Sequence, residues 1–139
     1  MKNALETTLQ VAALGQALVA ILNLSLVRIL RWQAEVARME LLVREVFHIH
    51  AFFISLTLFI FAALTGRFAR EMAIGQEPLA RWLAAGIGLF WAIRAVLQVT
   101  YYSSSHWRGI PARTAVHIIL LIVYGGWAVV YLTAAWGRI

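Results

Sequence analysis

The chain contains no cysteine and no aspartate. The first absence removes disulfides, thiolate metal sites and cysteine nucleophiles together. The second leaves six glutamates as the whole acidic complement. Lysine occurs once, at Lys2, and proline twice, at Pro78 and Pro111. Charge of either sign is scarce, at 13% of 139 residues, where soluble domains carry roughly 25%. What fills the chain instead is apolar: 63% of it is hydrophobic, with a mean hydropathy of +0.80. A domain of this size buries only about two-thirds of the surface its unfolded chain exposes. So much apolar surface therefore needs lipid around it, and the expected class is an all-α integral membrane protein. Disorder, a secreted disulfide scaffold and a soluble enzyme fit poorly.

The net charge is +6, from 12 basic and 6 acidic residues. All the bases except Lys2 are arginines, and they lie mostly between long apolar runs. That placement points to interfacial anchoring and contact with anionic lipid, not to nucleic acid.

Charge-free windows mark the spans. Three of them, 7–27, 46–66 and 114–137, reach the ~20 residues that cross ~30 Å of hydrocarbon. A fourth, from Trp82 to Tyr102, is broken only by Arg94 and is flanked by interfacial Trp82, Tyr101 and Tyr102. The reading is one domain over 1–139, an up-down bundle with spans near 6–28, 46–66, 82–102 and 113–136. The N-terminal run is too long for a signal h-region, and Glu6 interrupts its start, so an uncleaved first span is expected. Residues 29–45 form an amphipathic connection, with Arg31/Glu35 and Glu40/Arg44 at helical i,i+4 spacing. It is expected either as an interfacial helix or as an extension of the second span.

With four spans both termini share one side. The connections around 28–45 and 103–113 then share the other. The basic residues divide almost evenly between the two sides, with a slight excess on the connection side. That slight excess leans toward the connection side being cytoplasmic, in what is expected to be a bacterial inner membrane.

Polar side chains within a span are costly and tend to face the bundle interior. Helical phase groups them here. Arg94, Gln98, Tyr101 and Ser105 fall within about 60° of one another, and Arg113, His117, Tyr124 and Tyr131 within about 40°. Gln16 and Asn23 share a face of the first span. The second span offers two stripes, His48 with Ser55 and His50 with Thr57, which point nearly opposite ways. The topology places His48, His50, His106 and His117, all the histidines of the chain, toward one membrane face. An amphipathic interface collects His, Tyr and Arg without any chemistry. Arg94, about two turns from that interface, could also be explained by snorkelling or by a structural pair with Glu45.

Three function classes use these residues. The first is redox cofactor binding for electron transfer, with b-type haem ahead of a non-haem metal. His117 and one of His48 and His50 would be axial ligands. Arg94 and Arg113 would meet propionates or a quinone oxygen, and Gln98, Tyr101 and Tyr124 would complete the pocket. The spacing of Glu45 and His48 matches the i,i+3 pairs of di-iron bundles, so Glu45, His48 and His117 are the candidate metal ligands. The second class is a non-catalytic accessory or assembly subunit. Ala84, Gly88 and Ala92 form a small-residue stripe that lets another helix approach, from the first span, from a copy in a homo-oligomer or from another membrane subunit. The third is proton, anion or lipid transport by an oligomer.

Overall fold

The computed structural model describes residues 2–102, 105 and 108–137. Hydrocarbon offers no water to backbone N–H and C=O groups, so an apolar run that crosses it must satisfy them internally as a helix. Six helices result: α1 (Lys2–Leu24), α2 (Leu26–Ile29), α3 (Gln33–Arg38), α4 (Leu41–Ile74), α5 (Pro78–Thr100) and α6 (Pro111–Trp136). Four of them, α1, α4, α5 and α6, are long and apolar enough to cross a membrane. The class is all-α with four membrane-length helices, as the composition implies. Hydroxyls within these helices close onto their own backbone: Thr7, Thr57, Thr100 and Thr114 each donate to the carbonyl four residues back. No buried side-chain nitrogen or oxygen among the described residues lacks a hydrogen-bond partner.

Within the stretch 29–45, Ile29 closes α2, the short α3 covers Gln33–Arg38, and residues 41–45 form the first turns of α4. At 1.5 Å per residue the 34 residues of α4 run about 51 Å, well beyond the hydrocarbon. Its backbone leaves helical geometry at Phe68 (φ −112°, ψ 15°), just past Gly66 and Arg67.

The chain divides into two compact units near that point. One comprises residues 10–67 and the other residues 1–9 with 68–139. In the 10–67 unit, α1 and α4 are joined by polar contacts. Asn23 Nδ2 donates to Ser55 Oγ at 2.8 Å and to the Ala51 carbonyl at 3.0 Å. Ser55 in turn donates to the same carbonyl. The turn after α2 forces Arg31 to a positive φ of 56°. Trp32 N–H bonds the Val27 carbonyl and Arg31 N–H the Arg28 carbonyl, a Schellman closure whose left-handed position glycine usually fills.

In the other unit, Gly75 (φ 66°) ends α4 and Pro78 opens α5; α5 ends at Thr100, and Gly109 (φ 79°) lies in the connection two residues before Pro111 opens α6. Proline suits the first helical turn, where its missing N–H is not needed. α5 and α6 form an antiparallel hairpin. Buried Ala84, Gly88, Trp91 and Gln98 of α5 lie at near-heptad spacing, as do Tyr124, Ala128, Tyr131 and Ala135 of α6. A Cβ at Gly88 would stand 2.9 Å from Leu132 Cδ2, so glycine is what permits the close approach. The stripe expected to receive another helix is thus used by α6. Gly88 abuts Leu132, Ala84 is fully buried, and only Ala92 remains half-buried.

Candidate functional site

The α5–α6 hairpin brings together four of the residues singled out in the sequence: Arg94, Gln98, His117 and Tyr124. Arg94 and Gln98 are one turn apart on α5, and Arg94 Nη1 donates to Gln98 Oε1 at 3.0 Å. Gln98 Nε2 faces His117 Nδ1 at 3.0 Å across the hairpin. Arg94 lies six residues before the end of α5 and His117 six after the start of α6. Each is therefore about 9 Å inside its helix end, at matching depth.

The chemistry of arginine fixes the direction of this chain. A guanidinium has donors only, so it must meet the amide oxygen of Gln98 and not its nitrogen. That leaves the Gln98 NH₂ to donate to His117 Nδ1. In the neutral imidazole an accepting Nδ1 places the ring hydrogen on Nε2. Through Gln98, Arg94 thus favours the Nε2–H tautomer of His117. Burial sharpens the effect, because Gln98 is only 6% exposed and a reversed amide would face the cation with little water to screen it.

The rest of the guanidinium lies against aromatic rings. Its Cζ is 4.9 Å from the centroid of Tyr124 and 5.6 Å from that of Tyr102, within cation–π range. Tyr124 stacks on Trp91 at 5.1 Å, and Trp91 meets Trp127 edge-on at 4.6 Å. Arg94 makes no ion pair among the described residues; its partners there are an amide and aromatic rings. A half-buried arginine within a span, whose partners among the described residues are all neutral, is the central electrostatic feature of this site.

Other candidates fall elsewhere. Arg113 and Tyr101 belong to the same unit but are exposed; the aromatic ring that reaches Arg94 from the end of α5 is Tyr102, not Tyr101. Glu45, His48 and His50 belong to the 10–67 unit, and all three are exposed. There the His48 stripe continues inward to Ser55, which is 1% exposed and bonded to α1. His50 bonds its own helix instead, Nδ1 to the Val46 carbonyl at 2.8 Å. Among the described residues no three His or Glu side chains gather as a metal-ligand group. His106 lies outside the described residues.

Haem ligation at His117 Nε2 would need the hydrogen on Nδ1. The Gln98 amide would then have to turn over, setting its NH₂ against Arg94. The arrangement shown suits His117 as an acceptor at Nδ1 better than as an axial ligand at Nε2.

Trp91 and Tyr102 were not singled out from the sequence as site residues. Trp91 carries a usable signal, since it sits seven residues before Gln98 on the same helix face. Tyr102 sits one turn beyond Gln98, beside the residue that was chosen instead.

Four apolar helices and this buried polar chain define the class, an integral membrane protein of four spans. Compared with protein families, with curated proteins and with solved structures, the chain matches none.

Proposed function

We propose that the protein binds an anionic amphiphile, a lipid-phase molecule bearing a carboxylate or phosphate, at Arg94. One observation carries the reading: the Arg94 guanidinium sits within a span with Gln98, Tyr102 and Tyr124 as its partners and no carboxylate among the described residues. A charged side chain at the centre of a span costs about 2.5–3.5 kcal/mol by insertion scales, an upper bound for Arg94, which lies about 9 Å inside its helix end. Two tyrosine faces and one amide oxygen offset part of that cost and leave the charge uncompensated. An anion supplies the missing partner, and the guanidinium fork matches a carboxylate or phosphate through two parallel hydrogen bonds. Of the neighbouring aromatic cluster, the half-buried Trp127 is the ring left to meet the ligand's acyl portion, since Trp91 and Tyr124 are buried in the seam.

Brominated fatty acid quenching of tryptophan fluorescence tests this, because Trp91 and Trp127 flank the ring beneath Arg94. The brominated acid should quench saturably, and a brominated alcohol of equal length should bind about ten-fold more weakly. Arg94→Gln should abolish the difference between them. Equal quenching by acid and alcohol in the wild type would overturn the reading. A Soret band in the purified protein that disappears in His117→Ala would establish haem binding in its place.

A further inference from the structure

The opposite end of the same hairpin carries a second cation in a different setting. Arg81, one turn into α5, sends its Nε to the Ala135 carbonyl at 3.0 Å. That carbonyl is among the last four of α6, which have no partner within their own helix. A cation there also opposes the negative end of the helix dipole. The bond uses one of the five guanidinium donors and holds the group in a fixed position, with the Nη hydrogens directed elsewhere. No other hydrogen bond or ion pair engages the Arg81 side chain among the described residues.

Beside it is a cleft of about 250 Å³ lined by Pro78, Arg81, Trp82, Ala85, Ala135 and Trp136. Trp82 is 77% exposed and Trp136 50% exposed. Both stand at the ends of membrane-length helices, the level at which indoles meet lipid headgroups. The cleft thus combines an anchored cation, two interfacial indoles and small Ala85 and Ala135 at its base.

We infer that this cleft seats the phosphate of a membrane phospholipid. The Nη groups of Arg81 donate to two phosphate oxygens, and the indoles of Trp82 and Trp136 lie along the glycerol and upper acyl carbons. The chemistry shared by every such lipid is a phosphodiester at the interface. The inference is independent of the Arg94 reading, since it concerns other residues at the other end of the hairpin.

Native mass spectrometry of the protein released from micelles containing phosphatidylglycerol tests it, in the wild type and in an Arg94→Gln background. The second background keeps this result readable if the Arg94 reading fails. Retained phosphatidylglycerol should fall about ten-fold in Arg81→Gln and less in Arg81→Lys, which keeps the charge and loses the fork. Trp82→Ala removes an indole that is 77% exposed and has no part in the Arg81–Ala135 bond, so it should weaken lipid retention in a protein whose helix-end contact is intact. Diacylglycerol, which lacks phosphate, should not be retained. The inference is overturned if Arg81→Gln and Trp82→Ala hold phosphatidylglycerol as the wild type does. It is overturned equally if diacylglycerol binds as well, or if inorganic phosphate alone occupies the site in its place.

Discussion

Two glycines of α5 that are nearly adjacent in sequence should respond in opposite ways to the same substitution. At Gly88 an added Cβ would lie 2.9 Å from Leu132 Cδ2, 3.0 Å from Leu132 Cγ and 3.1 Å from the Leu132 backbone nitrogen. A side chain can rotate away, but a helical backbone nitrogen can move only with α6 itself. At Gly86 nothing lies within 4 Å. Replacing glycine by alanine in a helix interior gains about 1 kcal/mol of propensity, and that gain is common to both sites. Overpacking typically costs about 1–3 kcal/mol, and that cost falls on Gly88 alone. Gly86→Ala should therefore stabilise, and Gly88→Ala should be the less stable of the two by about 1–3 kcal/mol. Equilibrium unfolding in mixed micelles of increasing denaturing detergent measures the difference, with the unfolded-state effect of the substitution cancelling between the pair. In the double variant Gly88→Ala, Leu132→Ala, the two closest contacts disappear and only the backbone nitrogen remains. Its destabilisation should be less than the sum of the single effects. Equal shifts at the two glycines, or strict additivity with Leu132→Ala, would refute the packing of α5 against α6 described above.

Other consequences follow from the remaining polar and strained positions. Arg31→Gly should stabilise the 10–67 unit by about 1 kcal/mol, because the left-handed φ at that residue costs a side chain this much; thermal unfolding in detergent would show it as a raised midpoint. A double-mutant cycle on Asn23→Ala and Ser55→Ala should give a coupling of about 0.6 kcal/mol, and at most about 1.7, the range found for hydrogen bonds between membrane helices. Trp91→Ala empties the centre of the α5–α6 seam, where the ring is 2% exposed, and should cost about 3–5 kcal/mol. That loss would be read in the same detergent titration, and a change below 1 kcal/mol would contradict the burial.

Much of the architecture is legible in the chain because one physical constraint dominates it. Lipid forces apolar runs into helices, and charge-free windows locate those runs without knowledge of packing. The interruption at Arg94 does not break α5, which runs through it from Pro78 to Thr100. Helical phase alone set Arg94 beside Gln98 and His117 beside Tyr124. Joining the two pairs needed the antiparallel register of α5 on α6, which hydropathy does not carry. The small-residue stripe was legible as a close-packing face, yet its partner was not, because Gly88 accepts any helix that offers a complementary ridge. The choice between Tyr101 and Tyr102 failed for a related reason. Near the end of α5 the reach and bend of the arginine side chain decide which ring it meets, and neither is a property of periodicity. The Schellman turn at Arg31 left no trace in the sequence, where glycine would ordinarily mark it.

Arg94 orients Gln98 and, through it, His117. Nitrogen-15 NMR of ring-labelled histidine in nanodiscs reads the tautomer of His117 directly. The account predicts the hydrogen on Nε2 in the wild type, with Nδ1 accepting from Gln98, and loss of that preference in Arg94→Met. A wild-type His117 carrying its hydrogen on Nδ1, or a tautomer unchanged by Arg94→Met, would contradict it.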